Sequence, residues 1–126
     1  MNIALWILQI LLAALYLWHG WLMISPPPEV AAIMNTFLPT WFRLLIGVAE
    51  VLAAAGLILP GLTRIMPWLT SLAAAGLMIV MASATVVHLS RGETSSAISA
   101  FVILLLVTFV AYMRWKVKPI PARAVA

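Results

Sequence analysis

The sequence predicts an all-α integral membrane protein, a four-transmembrane-helix bundle with a short interfacial helix between spans one and two. Three observations carry this. Of the 126 residues, 66% are hydrophobic and only 8% are charged, more apolar surface than a soluble domain of this size can cover. The apolar residues fall into four runs of about twenty, the length that crosses a hydrocarbon core of roughly 30 Å at about 1.5 Å per residue. Charges lie at or near the ends of those runs, and the exception is Glu50, deep in the second.

The first span, residues 3–24, carries no formal charge at neutral pH. A cleaved signal peptide needs a basic leader and a small-residue cleavage site, and neither Met1-Asn2-Ile3 nor Ser25-Pro26-Pro27-Pro28 supplies one. The segment is therefore expected to stay on the protein. The three prolines stop the helix, because each lacks an N–H and restricts the residue before it. Residues 29–37 then place Val30, Ile33, Met34 and Phe37 at helical spacing, with Glu29 in the first turn where it complements the macrodipole. This reads as the interfacial helix.

Thr40 is placed to cap the second span, residues 41–59, and Pro60-Gly61 is expected to turn the chain. The third span covers residues 65–89, with Pro67 tolerated in its first turn. Arg91-Gly92-Glu93-Thr94 reads as a tight turn, Gly92 suiting a helix C-terminus and Thr94 an N-cap. The fourth span covers residues 97–115, and a basic tail, 116–126, follows. A single membrane domain, 1–126, accounts for the whole chain.

The charges set an expected orientation. Four of the seven basic residues lie in the last thirteen positions, beside an apolar helix, which is a topology signal and not a nucleic-acid footprint. An even number of spans puts both termini with Arg64, five Lys or Arg against Arg43 and Arg91 on the other side. The positive-inside rule then places the termini in the cytoplasm of a bacterial inner membrane. Trp6, Trp68 and Trp115 fall near one boundary and Trp18, Trp21 and Trp41 near the other, as interfacial belts do. There is no cysteine, so disulfides, dithiol redox chemistry and thiolate metal sites are excluded.

The block Leu52-Ala53-Ala54-Ala55-Gly56-Leu57 recurs as Leu72-Ala73-Ala74-Ala75-Gly76-Leu77. In antiparallel neighbours both blocks reach similar depth, so Ala53, Ala54 and Gly56 are expected to pack on Ala73, Ala74 and Gly76, small residues allowing close backbone approach.

Glu50 shares a helical face with Arg43, Gly47, Ala54 and Leu57. Arg43 lies two turns away, about 10.5 Å along the axis, so a third group between them is expected. His19 and His88 lie near the same end of spans one and three, and Gln9, Tyr16 and His19 share one side of the first span. On span three His88 lines up with Thr70 and Met81. The expected site is a polar cluster of His19, Tyr16, Glu50 and His88, with Arg43 and Arg91 at its rim and nothing ionisable from span four. Plainer roles stand beside it: a protonated, hydrogen-bonded Glu50 gluing helices together, an interfacial cap at His88, and snorkelling anchors at Arg43 and Arg91.

A first helix ending in Gly20 and then Pro26, followed by Gly47-x-x-Glu50, Gly56-Leu57-Ile58-Leu59-Pro60-Gly61 and Thr63-Arg64, and a third helix ending in His88, resembles the DoxX-like family of small membrane proteins. The likeness runs from about Ile3 to Trp115. It implies an inner-membrane four-helix bundle, in some members a subunit of thiosulfate:quinone oxidoreductase, and more broadly redox or stress functions. Related eukaryotic four-helix proteins serve as assembly chaperones. Many members carry a lysine shortly after the first-helix glycine; here Met23 occupies that region, so a lysine–glutamate pair does not carry over and His19 stands as the substitute.

Three functions remain in view. In the first, a subunit or partner in a redox-linked complex, Glu50 and His19 bind a quinone head group or pass its protons. In the second, a non-catalytic assembly or scaffold protein, the cluster holds the bundle together and the small-residue faces meet a protein partner or a second copy. The third and least favoured is a cofactor holder, with His19 and His88 ligating haem or joining Glu50 around a metal. A transporter is less attractive still, because no second half mirrors the first.

Overall fold

The computed structural model describes residues 1–123, all helix and loop. Its elements are α1 (Asn2–Ile24), α2 (Pro28–Met34), α3 (Thr40–Thr63), α4 (Leu69–Ser90) and α5 (Thr94–Tyr112), the last running into a wider π turn, Met113–Val117. Among the described residues, four helices are long and apolar enough to cross a membrane: α1, α3, α4 and α5 with its π extension. Positions 124–126 of the expected tail lie outside the described residues.

Sequential helices pack side by side: α1 on α3, α3 on α4 and α4 on α5, while α1 meets α5 only sparsely. The backbones of the diagonal neighbours α1 and α4 do not approach each other closely. The core between them is built from Leu12, Tyr16, Ala54, Leu57, Ala74, Leu77, Met81, Val107 and Val110. The start of α1, the described part of the C-terminal tail, the α3–α4 turn and the N-terminus of α4 share one end, the terminal end; α2 and the α4–α5 turn share the other, the α2 end.

The seam between α1 and α3 is set by glycine. A Cβ added at Gly20 would lie 2.9 Å from the Gly47 carbonyl oxygen, and one added at Gly47 would lie 2.9 Å from that of Gly20. Neither position admits a side chain, so the two backbones pass in contact, the small-residue packing that replaces the hydrophobic drive in lipid. From this crossing the register holds along the seam. Arg43 reaches Met23 on one side, and on the other Gln9 reaches Leu57 and Trp6 lies over Gly61.

The repeated blocks meet at Gly56 and Ala73. A Cβ on Gly56 would lie 2.8 Å from that of Ala73, whereas one on Gly76 meets nothing within 4 Å. Ala54 and Ala74 are buried, and Ala53 packs at the margin of the core. Gly76 therefore does not take the packing role expected of it.

Other differences have local causes. Pro60 does not stop α3, which continues to Thr63; in a bilayer an interior proline is tolerated because neighbouring groups take up the freed backbone positions. The stop comes at Arg64, which holds a left-handed φ of 60°. That strained turn is fixed from outside: Arg64 Nε donates to the Pro121 carbonyl at 3.0 Å, and the Arg64 carbonyl accepts from Arg123 N–H at 2.7 Å. The tail thus folds back as a strap. Pro67 stays outside α4, which begins at Leu69. Neither Thr40 nor Thr94 caps by side chain, since each is already the first helical residue.

Candidate functional site

Glu50 sits ten residues into α3, about 15 Å from its start at about 1.5 Å per residue. Its face of the helix, with Arg43, Gly47, Ala54 and Leu57, is buried, so its carboxyl is withdrawn from lipid; Glu50 is only 1% exposed. His19 Nδ1 and Glu50 Oε2 are 2.6 Å apart. Either the imidazole N–H donates to a carboxylate, or a carboxylic acid O–H donates to the bare nitrogen. A proton passing between those two forms crosses a single short bond, in a medium that penalises isolated charge.

The glycine seam makes this reach short. A Cβ at Gly20, next in sequence to His19, would come within 3.1 Å of the Glu50 Cβ. The imidazole is sandwiched less tightly than its partner: its side chain is 40% exposed against 1% for Glu50, and Nε2 has no hydrogen-bond partner among the described residues. The pair therefore has a sealed half and an open half. Tyr16, one turn back along α1, is 2% exposed, and its hydroxyl is buried without a partner.

The expected cluster is only partly assembled. His19 and Glu50 meet, and Tyr16 lies beside them. His88 does not join: it hydrogen-bonds Glu93 across 3.2 Å, on a helix whose backbone does not come close to that of α1. Glu93 also accepts from Arg91 Nε at 2.9 Å, and the Arg91 guanidinium lies 3.9 Å from the centre of the Phe37 ring. His88 and Arg91 thus belong to a clasp between the α4–α5 turn and the segment after α2. Hydrogen bonds from His88 and then Arg91 hold the Glu93 carboxyl below its usual range. Arg43 is not an exposed anchor. It is 6% exposed, and its guanidinium donates to the Met23 carbonyl in the last turn of α1, where a cation suits the helix dipole.

A second buried polar group was not anticipated. Arg114, on the π turn after α5, is 4% exposed. Its Nε donates to Gln9 Oε1 at 2.6 Å and its Nη1 to Asn2 Oδ1 at 2.7 Å, while Gln9 Nε2 donates to the Leu57 carbonyl at 2.6 Å. The signal was present in the sequence, since Arg114 lies inside the apolar run of the fourth span, one residue before Trp115.

Among the described residues no group of three His, Cys, Asp or Glu stands close enough to hold a metal ion. An apolar groove of about 400 Å³ runs between α1 and α3, lined by residues such as Leu17, Val51 and Ile58. Neither His19 nor Glu50 lines it, so it is not the opening to the pair.

With this geometry established, comparison with known proteins decides the family. The model of the DoxX-like family matches residues 7–110, most of the chain, with α3 and α4 complete and the greater part of α1 and α5. The chain belongs to the DoxX-like family. No curated protein sequence and no solved structure shows significant similarity to it. The match takes in Tyr16, His19, Gly20, Gly47, Glu50 and His88 and stops short of Arg114. For this DoxX-like protein, both the membrane bundle and the family expected from the residues hold.

Proposed function

We propose that this DoxX-like protein is a non-self-sufficient subunit or partner of a redox-linked membrane complex, with the Glu50–His19 pair as its ligand-facing group. The observation that carries the reading is the asymmetry of the pair. A buried carboxyl orients and polarises an imidazole through Nδ1, leaving Nε2 to address a molecule that arrives through the bilayer. A structural bond would be served as well by two sealed partners, whereas a half-open imidazole in lipid lacks a hydrogen-bond partner of its own.

A quinone head group fits these donors: it is apolar enough to dissolve in lipid and offers carbonyl oxygens to an N–H. When bound, it supplies reversible two-electron, two-proton redox chemistry. In this chain, His19 holds the head group through Nε2, Glu50 takes or returns a proton through Nδ1, and the buried Tyr16 hydroxyl supplies a further donor at the base of the site. The reading includes a bacterial inner-membrane location with cytoplasmic termini, following the basic residues of the terminal end. A Glu50→Gln variant in native membranes tests it: quinone-dependent turnover of the complex falls at least tenfold while the protein's abundance is kept. Full turnover in that variant removes the reading.

One observation favours the alternative, an assembly or scaffold protein. The same bond ties α1 to α3 at their closest approach, as structural glue would. In that case Glu50→Gln, which keeps a hydrogen bond, leaves every activity intact, and only changes at the glycine seam lower the abundance of the partner complex.

A further inference from the structure

Among the described residues, Arg114 is a buried cation with no acidic side chain beside it. The sequence has three acidic residues. Glu50 is bound to His19, Glu93 to His88 and Arg91, and Glu29 lies in the first turn of α2 at the opposite end of the bundle. All recorded partners of Arg114 are neutral: Gln9 Oε1, Asn2 Oδ1, and the Lys118 carbonyl, which accepts from Nη1 at 3.0 Å. Its Nη2 is buried with no hydrogen-bond partner among the described residues.

Two further donors at the same end share that condition. Thr70 Oγ1 and Ser71 Oγ are buried without partners, the residues being 0% and 5% exposed. They stand in the first turn of α4, a 22-residue helix whose N-cap, Trp68, contributes no side-chain cap bond. Helix α4 packs against the π turn that bears Arg114. A guanidinium edge and two hydroxyls are thus buried without partners on packed elements at one end of the bundle, beside the positive end of the α4 dipole. Exposed Arg64, Lys116 and Lys118 lie at the same end.

We propose that this end of the bundle holds an anion site built on Arg114, Thr70 and Ser71, whose occupant carries a phosphate group, supplied by an anionic phospholipid head or by free phosphate. Phosphate suits the donor set because a guanidinium edge and hydroxyls match its oxygens, and basic pockets between transmembrane helices are where anionic head groups lodge. The way in is through the strap. Lys118 is the one partner of Arg114 that lies outside every helix, so its carbonyl exchanges for a phosphate oxygen without unwinding the bundle.

The full chain, purified in mild detergent and stripped of lipid, is examined by native mass spectrometry with added phosphatidylglycerol or phosphatidylcholine, and by thermal melting with inorganic phosphate. The wild type is expected to retain one phosphatidylglycerol in preference to phosphatidylcholine. The Thr70→Val, Ser71→Ala double variant weakens that preference roughly tenfold, as loss of hydrogen bonds to a charged group does, and Arg114→Gln abolishes it. Stabilisation by phosphate alone, lost in the double variant, supports the site with a soluble occupant. Should Arg114→Gln fail to fold, the double variant decides. Absence of any preference for phosphatidylglycerol or phosphate in the wild type, or unchanged binding in the folded double variant, overturns the proposal. Glu50→Gln binds as the wild type does, which separates this site from the Glu50–His19 pair.

Discussion

Gly20 and Gly47 face each other across the α1–α3 seam so closely that neither admits a Cβ without contact at 2.9 Å to the other's carbonyl oxygen. That contact sets the distance at which His19 and Glu50 meet, because His19 adjoins Gly20 in sequence and Glu50 lies one turn beyond Gly47.

The first prediction concerns this seam. Gly20→Ala or Gly47→Ala drives a methyl against a backbone carbonyl oxygen that no side-chain rotation can move, costing about 1–3 kcal/mol as overpacking does. Gly76→Ala, where the added methyl meets nothing within 4 Å, is neutral or slightly stabilising because alanine is the better helix former. Thermal melting in detergent checks the contrast, and equal effects at Gly47 and Gly76 would contradict it.

The second concerns Arg43. Replacing it with Met keeps the stem volume but leaves the Met23 carbonyl without its donor and removes a cation from the end of the α1 dipole. A loss of about 1–3 kcal/mol follows, the cost of one unsatisfied buried acceptor. Arg43→Lys should recover part of it. If melting temperatures of the Met variant and wild type coincide, Arg43 is the peripheral anchor its position in the sequence resembles.

The third concerns pH. The Glu93 carboxyl is held below its usual range in the fold by His88 and Arg91. Its ionised form therefore contributes stability that is fully present above the unfolded value, 4.5, and lost as pH falls through the lower folded value. Wild-type melting temperature is expected to decline on that acid limb, and Glu93→Gln to flatten the decline; parallel pH profiles for the two proteins would exclude the clasp.

How much of this was legible beforehand divides by physical cause. Composition and run length fix a membrane bundle with little ambiguity, because nothing else hides so much apolar surface. Depth along a span is equally readable from 1.5 Å per residue, and Glu50 and His19, read at similar depth, stand 2.6 Å apart. Direction around the bundle is not, since in lipid both the core face and the outer face are apolar and the usual amphipathic pattern is lost. His88 has a suitable depth but stands on the diagonal helix, so it pairs with Glu93 in its own turn. Pro60 misled for a related reason: the rule that stops helices in water is relaxed within a bilayer. Arg114 counts in the sequence only among the basic residues of the last thirteen positions, although it lies inside a span, where an ionisable residue calls for a partner.

The measurement that bears most directly on the Glu50–His19 pair is the nitrogen resonance pattern of His19 in ¹⁵N-histidine-labelled protein in bilayers, with and without a short-chain ubiquinone analogue. The pair predicts an Nδ1 resonance displaced by its bond to the Glu50 carboxyl and less displaced in Glu50→Gln, where a neutral amide takes its place. It also predicts an Nε2 resonance that moves when the analogue is added to the wild type and does not move in the variant. An Nε2 resonance indifferent to saturating analogue in folded wild-type protein would contradict the ligand-facing role of His19.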